Sequence, residues 1–181
     1  MTGPARNSTF GRLFLALWPD WRLRSALALY RDAWHWPAHA RRVRTDKLHL
    51  TLHFIGAVPA ARAAGLLSGL AVPFDAFEVV LDRPAVWPQG LAVLEPQTVP
   101  PPLAALHAVL GEVLHAADLP VAARPFSPHV TLARRAVGAR PSAQAVALHW
   151  AVSGYVLVAS RLGAEGGYRV LARYPARGAG A

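Results

Sequence analysis

A four-residue pattern containing a histidine and a threonine occurs twice in the sequence. Residues 49–52 read His-Leu-Thr-Leu, and residues 129–132 read His-Val-Thr-Leu. On a β-strand alternate side chains point to opposite faces, so each pattern directs its histidine and threonine to one face and its apolar pair to the other. Two such strands, brought together, would present two imidazoles and two hydroxyls to one cleft. Imidazoles exchange protons near neutral pH and hydroxyls hydrogen-bond to phosphoryl oxygens, which suits acid–base chemistry on a phosphodiester.

The repetition is itself a signal. Histidine accounts for 8 of the 181 residues, so fewer than about one His-x-Thr is expected from composition alone. A self-similar segment that occurs twice also indicates the duplication of a structural unit. We therefore predict two similar halves that each carry one histidine–threonine strand.

A second histidine near the first pattern raises the alternative of a metal site. His49 and His53 could share a metal ion on a helix, but on a strand they would stand about 13 Å apart, at about 3.3 Å per residue. Zinc requires ligands at about 2.1 Å. The alternation favours the strand, with Leu48, Leu50, Leu52 and Phe54 on one face and His49, Thr51, His53 and Ile55 on the other. We therefore expect no metal and no other cofactor.

Arg134 follows the second pattern closely and could neutralise a phosphate with a bidentate contact. Its position along the strand is awkward, because in a regular strand it would face away from His129 and Thr131. A bulge or the end of the strand must turn it toward the cleft; otherwise it is a surface arginine.

The composition indicates one globular domain over residues 1–181, with residues 1–9 as a flexible tail. The chain is 54% hydrophobic and long enough to bury a core. It has no cysteine, which excludes disulfides and thiolate metal sites. It has no apolar run of about eighteen residues, and its first residues lack the apolar core of a secretion signal. We expect a cytoplasmic monomer without membrane contact.

The formal net charge of +9 has two interpretations. A basic surface attracts phosphate backbones. Alternatively, a chain rich in arginine, with Lys47 as its only lysine, reflects a composition bias that fills surface positions with arginine. Arg41, Arg42 and Arg44 before the first pattern could follow an RNA backbone or form a solvated turn.

Apolar periodicity predicts the elements that must position these residues. We predict strands over 10–18, 48–55, 77–81, 85–87, 91–94, 150–158 and 168–174, and helices over 21–34, 59–70 and 103–114. The second pattern adds a strand at 129–132, and residues 136–145 form a polar loop. The succession of strands and helices is typical of an α+β fold.

On these motifs the chain resembles the 2H phosphoesterase superfamily, and most closely the bacterial RNA 2′,3′-cyclic phosphodiesterases, also called 2′-5′ RNA ligases. The resemblance covers most of the chain. It is carried by residues 12–19 (RLFLALWP), 48–52 with 54–56, and 124–134 (RPFSPHVTLAR), and by Ser160, Leu162, Gly167, Tyr168 and Leu171 near the end.

The resemblance implies a bilobal α+β fold with pseudo-twofold symmetry, in which two antiparallel-rich sheets with outer helices flank a cleft. It implies hydrolysis, without metal, of a 2′,3′-cyclic phosphate at an RNA end or on a small cyclic nucleotide to a 2′-phosphate, with 2′-5′ ligation as the reverse direction. By similarity His129 is the general base and His49 the general acid. Thr51, Thr131 and Arg134 hold the phosphoryl group.

Several neighbouring residues have competing roles. Phe14 and Phe54 could stack on a nucleobase, but each lies in an apolar run, and we expect core packing. His53 departs from the small apolar residue of relatives; we expect it at the cleft rim, with a base or ribose contact as the alternative. We expect His107 and His115 to face solvent and Trp87 to pack in the core.

Two other functions remain open. One is a related enzyme acting on another small phosphodiester, such as ADP-ribose cyclic phosphate or a 2′-5′ oligoadenylate, with the same catalytic residues. The other is a non-catalytic RNA-binding protein, against which the intact histidines and threonines argue. A substrate panel separates the first. Salt-dependent RNA affinity that survives loss of both histidines, with no turnover by the parent protein, would indicate the second.

Overall fold

In the described part of the chain strands alternate with three helices, as the periodicity predicts, except that the strand predicted over 150–158 is divided at Ser153. The computed structural model describes residues 9–160 and 167–178. Within them the strands are β1 (Thr9–Leu17), β2 (Arg41–Arg42), β3 (Leu50–Pro59), β4 (Phe77–Leu81), β5 (Arg83–Trp87), β6 (Leu91–Glu95), β7 (Val130–Arg134), β8 (Leu148–Val152), β9 (Gly154–Ser160) and β10 (Tyr168–Pro175). The helices are α1 (Trp21–Asp32), α2 (Ala60–Gly69) and α3 (Pro101–Ala116), and a short 3-10 helix spans Thr45–Lys47.

The strands form one large antiparallel sheet and one small one. The large sheet has the order β10-β9-β1-β3-β7-β6-β5, with β2 also paired to β7, and the small sheet pairs β4 with β8. The two halves of the large sheet meet where β3 and β7 pair only at Leu50 and Val130. The α+β class is therefore confirmed, and the two similar halves meet at their histidine–threonine strands.

The two motif strands have the same local architecture. β3 pairs with β1 so that Leu50 lies opposite Leu17, and β7 pairs with β6 so that Val130 lies opposite Leu94. In each strand the residue after the threonine, Leu52 or Leu132, is left out of the pairing as a β-bulge. A bulge reverses the alternation of faces beyond it, so both strands change which side their later residues face.

The two faces of this sheet differ. One face carries Leu13, Leu15 and Leu17 of β1 into the main core with the helices. Helix α3 contributes the buried residues Leu103, Leu106, Leu110 and Leu114, at the spacing of one helix face. The other face carries Phe14 and Ala16 in a smaller cluster with β9. The His49 ring lies on this second face, with its centroid 4.9 Å from that of Phe14.

Helix α1 has a defined start. Asp20 caps it, because its Oδ1 accepts a hydrogen bond from the amide of Leu23 at 2.8 Å. Of the predicted tail, residues 1–8 lie outside the described part, whereas Thr9 begins β1. Leu162, used in the family resemblance, also lies outside the described residues. Within those residues no helix is long and apolar enough to cross a membrane.

Candidate active site

A cleft of about 650 Å³ opens over the junction of β3 and β7, and both motifs line it. That volume suits a nucleotide-sized ligand. Its walls include His49, Thr51, Phe54, Trp87, Arg124, Phe126, His129, Thr131, Arg134 and Tyr168. The pairing of Leu50 with Val130 brings the two histidines, each one residue earlier, to the same place.

The two histidines are held by the same backbone contact. Nδ1 of His49 lies 2.7 Å from the carbonyl oxygen of Lys47, and Nδ1 of His129 lies 2.7 Å from that of Ser127. A carbonyl only accepts hydrogen bonds, so Nδ1 of each ring must carry the proton. In the neutral ring Nε2 is then the atom that can take up a proton, and in the charged ring the atom that can release one.

His49 sits in an aromatic enclosure. Its ring centroid lies 4.9 Å from that of Phe14, 5.7 Å from the nearly parallel Trp18 and 5.4 Å from the perpendicular Tyr168. Burial among these rings lowers the pKa of His49 to about 4, against the raising effect of the Lys47 carbonyl. In the free protein His49 is therefore neutral at pH 7. Nε2 also lies 3.1 Å from the Thr51 hydroxyl, which donates to it.

His129 has different neighbours. One aromatic ring, Trp87, meets it edge-on with centroids 4.4 Å apart. Burial lowers its pKa, while the Ser127 carbonyl and the negative charge of Glu95 raise it and the charges of Arg124 and Arg134 lower it. A carboxylate therefore supports the charged form of His129. Among the described charges that act on the pKa of His49 there is no carboxylate.

The bulges explain where Arg134 and Phe54 point. Arg134 would face away from the motif in a regular strand, but the bulge at Leu132 turns it onto the face of His129 and Thr131. Arg134 lines the same cleft as His49 and His129, and its charge lowers the pKa values of both histidines. Phe54, at the equivalent position after the bulge at Leu52, lies in the cleft and is 55% exposed.

Two expectations for the first strand are thus wrong. Phe54 does not pack in the core, whereas Phe14 does, at 3% exposure. His53 is not exposed at the cleft rim but lies at the back of the cleft: the bulge turns it toward α3, where it is 3% exposed and its Nε2 lies 2.8 Å from the carbonyl oxygen of His107. The physical reason in each case is the reversed alternation beyond Leu52.

A stack of three rings forms the back of the cleft. The ring of His107 lies between His53 and Phe126, with centroids 4.0 Å and 3.9 Å apart and both pairs nearly parallel. The expectation that His107 faces solvent is wrong, because its ring is half-buried in this stack. This burial, together with the neighbouring His53, lowers the pKa of His107 to about 4. His115 is exposed, as expected. Trp87 lines the cleft beside His129 instead of packing in the core.

A basic wall on strand β2 and the following turn borders the cleft. Arg41 pairs in register with Arg134 across β2 and β7, and Arg42 lies 3.2 Å from Asp32. The turn is anchored by the buried Arg31, which donates to the carbonyl of Val43 and is ion-paired with Asp32. The backbone of the wall is therefore held by α1, while the side chains of Arg41, Arg42 and Arg44 are exposed.

No three histidine, cysteine, aspartate or glutamate side chains gather as metal ligands in the part of the chain that the structure describes. His49 and His53 point to opposite sides of β3 because the bulge lies between them. Sequence reasoning did not assign cleft roles to Trp18, Trp87, Glu95 or Tyr168. The signal for Trp18 was its alternation with Phe14 and Ala16, which puts all three on the motif face.

The comparisons with known proteins agree with one another. The family model of the 2′-5′ RNA ligase superfamily matches residues 19–160. The chain is 35% identical to the RNA 2′,3′-cyclic phosphodiesterase of Escherichia coli (strain K12) over 129 residues, which are 69% of this chain and 72% of that protein. The crystal structure of E. coli LigT complexed with 3′-AMP matches with a TM-score of 0.80 and 27% identity, covering 92% of this chain and 98% of that one. The crystal structure of TT0787 of Thermus thermophilus matches with a TM-score of 0.72 and 27% identity, covering 91% and 97%.

Proposed function

This chain belongs to the 2′-5′ RNA ligase superfamily, and from that premise we propose that it hydrolyses 2′,3′-cyclic phosphates at RNA ends by proton transfer between two histidines. The family resemblance drawn from the two motifs is confirmed. The E. coli relative is an RNA 2′,3′-cyclic phosphodiesterase, which supports a cyclic phosphate as the substrate class of this chain. The single observation that carries the catalytic proposal is the pair of histidines in one cleft, each with Nδ1 bound to a carbonyl two residues earlier.

The proposed reaction uses the Nε2 atoms. His129 takes a proton from water as the water oxygen forms a bond to phosphorus. The bond from phosphorus to the 3′ oxygen breaks, and His49 gives its proton to that oxygen. The products are a 2′-phosphate and a 3′ hydroxyl. In ligation, the 5′ hydroxyl of a second RNA takes the place of water and leaves a 2′-5′ linkage.

The surroundings of His49 set a condition on this assignment. An acid must be protonated, and burial among three rings lowers the pKa of His49 to about 4 in the free protein. The negative charge of a bound cyclic phosphate raises that pKa, since an opposite charge within about 6 Å favours the charged form. We therefore propose that His49 becomes protonated when the substrate phosphate binds, and only then can act as the acid.

Phosphate binding is proposed for Thr51, Thr131 and Arg134. Both threonines lie two residues after their histidines, and the Arg134 charge acts on both rings. A guanidinium can hold two phosphoryl oxygens at once and neutralise the charge that develops in the transition state. The aromatic and basic walls supply contacts for the base and for the preceding nucleotides, with Phe54 exposed in the cleft.

The test is a short RNA that ends in a 2′,3′-cyclic phosphate, incubated with the protein in excess chelator. The His49→Ala/His129→Ala double variant runs beside it, and His115→Ala, on the exposed side of α3, is the matched control. We expect the parent and the control to make only the 2′-phosphate, and the double variant to make none. Equal turnover by the double variant would overturn the two-histidine mechanism, and loss of turnover in chelator would overturn its independence from metal.

A substrate panel separates the alternatives. ADP-ribose cyclic phosphate and a 2′-5′ oligoadenylate are offered at the same concentration as the RNA. Preference for either over RNA would move the proposal to another small phosphodiester. A non-catalytic binding protein would give a different result. The parent would bind RNA but turn over none of the three substrates, and the double variant would bind RNA equally well.

A further inference from the structure

A row of charged residues crosses the strands next to His129. In the pairing of β6 with β7, Val93 lies opposite Thr131 and Leu94 opposite Val130, so the next position brings Glu95 beside His129. In the pairing of β5 with β6, Arg83 lies opposite Glu95. Residues opposite each other in an antiparallel pair share a face of the sheet. Arg83, Glu95 and His129 therefore follow one another across three strands on the cleft side.

The geometry points to Glu95 as a positioning residue whose carboxylate stabilises the charged ring of His129 when that ring accepts a proton. This inference rests on the proposed function. Glu95 is 7% exposed, and a carboxylate so deeply buried needs a positive partner. One partner is Arg83, whose Nη2 lies 3.4 Å from Glu95 Oε1. The second is the imidazolium that forms when His129 takes its proton from water.

The remaining charges around His129 show why such a carboxylate matters. The charges of Arg124, before β7, and Arg134, at its end, oppose protonation of His129, as does burial. His49 faces it across the cleft from β3, and Trp87 of β5 covers one side of its ring. Against these, only the Ser127 carbonyl and Glu95 favour the charged ring among the described residues. The Ser127 contact fixes the tautomer, and Glu95 supplies the negative charge.

The pseudo-symmetry provides a comparison within the molecule. Leu17 lies opposite Leu50 in the pairing of β1 with β3, so the position next to His49 that corresponds to Glu95 is Trp18. The rings of Trp18 and His49 are stacked there. The same structural position thus carries a carboxylate beside His129 and an indole beside His49. This difference matches the proposed roles, in which His129 accepts a proton and His49 donates one.

The test is an NMR titration of the His129 ring in three variants, which requires no turnover. Glu95→Gln preserves the shape and removes the charge, so we expect the pKa of His129 to fall by about 0.5–1. Arg83→Gln removes the charge that competes for Glu95, so we expect a rise of about 0.3–0.5. Glu112→Gln, on the exposed side of α3, is the control and leaves the titration where it is in the parent.

The rate profile gives a second readout. The active free enzyme has His129 neutral and His49 protonated, and burial lowers the pKa of His49 to about 4, so the limb of kcat/KM at higher pH reports His129. This limb should move to lower pH in Glu95→Gln, with kcat about 10-fold lower, and to higher pH in Arg83→Gln.

Unchanged His129 titration in both variants would overturn the role of Glu95, even if the parent hydrolyses cyclic phosphates. Opposite shifts in a protein without turnover would support it while the proposed function fails. If Glu95→Gln does not fold, the direction of the shift in Arg83→Gln decides alone.

Discussion

The two halves of the cleft share a backbone and differ in chemistry. Each half supplies a histidine held through Nδ1, a threonine two residues later and a bulge after that. Beyond the shared frame, His49 is enclosed by Phe14, Trp18 and Tyr168, whereas His129 has Trp87 and the charge of Glu95. Duplication accounts for the common geometry. The neighbours on the adjoining strands account for the different effects on the pKa values of the two rings.

The same contrast extends to the residue beyond each bulge. The fifth residue after His49 is Phe54, and the fifth after His129 is Arg134. Both bulges turn these side chains into the cleft. One half thus offers an apolar ring and the other a cation, which fits a ligand with a flat base at one end and a phosphate at the other. The pseudo-symmetric frame therefore suits an asymmetric substrate.

The largest expected effect comes from removing either histidine. His49→Ala and His129→Ala should each lower kcat about 100-fold or more, as general acids and bases contribute. The two losses should respond differently to the leaving group. On a cyclic phosphate with sulfur in place of the 3′ bridging oxygen, a thiolate leaves without protonation, so His49→Ala should regain most of its rate and His129→Ala should not.

The same experiment can contradict the assignment of the acid to His49 and the base to His129. Recovery of His129→Ala alone would exchange the acid and the base. Recovery of neither variant would mean that the two rings do not divide the proton transfers between them. The parent on both substrates provides the reference for the intrinsic effect of sulfur.

The next effect is on stability. Burial lowers the pKa of His49 to about 4 from an ordinary value of 6.5. Between these two pH values the unfolded chain binds a proton that the folded chain does not, so the free energy of unfolding falls as the pH drops. His49 should account for about 3 kcal/mol of that fall. His49→Gln should remove this part when unfolding by urea is measured at pH 7 and at pH 4.

The same measurement on His129→Gln provides the comparison. The pKa of His129 is also lowered, but Glu95 opposes the shift, so His129→Gln should flatten the pH dependence less than His49→Gln. His107, whose pKa is also about 4, keeps its own contribution in both variants. An equal or larger flattening in His129→Gln would contradict the contrast between the two surroundings.

The third largest effect is expected for Arg134→Gln, which should lower kcat/KM. A hydrogen bond to a charged group is worth about 1.5–3 kcal/mol, which corresponds to roughly 10- to 150-fold in kcat/KM. The loss should appear with every cyclic phosphate irrespective of its base, because Arg134 is proposed to hold the phosphate. Arg41→Gln, next to Arg134 on β2, tests whether any loss of nearby positive charge suffices; we expect a smaller decrease that high salt abolishes.

The sequence predicted the motif strands and their chemistry because both depend on local alternation. His49, Thr51, His129 and Thr131 lie before the bulges, where regular alternation still holds, and all four line the cleft. The class of fold follows from the same periodicity. These features need no knowledge of which strand lies beside which.

Residues beyond the bulges could not be placed in this way. No residue type marks Leu52 or Leu132 as unpaired, so His53 and Phe54 were assigned to the wrong faces, and Arg134 could only be said to need a bulge. Glu95 and Tyr168 act on the histidines through strand pairing between distant segments. Such pairing is a property of the sheet, and no local pattern predicts it.

The smallest effect concerns Phe54, the counterpart of Arg134. Stacking of a base on an aromatic ring is worth about 1–3 kcal/mol. Because Phe54 is only partly covered, we expect Phe54→Ala to raise KM roughly 5- to 10-fold at unchanged kcat, the lower end of that range. Leu29→Ala, a similarly exposed apolar residue on α1, is the control. The increase in KM should be larger for a purine than for a pyrimidine next to the cyclic phosphate, because a purine covers more of the ring. A fall in kcat with unchanged KM would instead place Phe54 with the reacting groups, and the apolar half of the cleft would then not be the base-binding half.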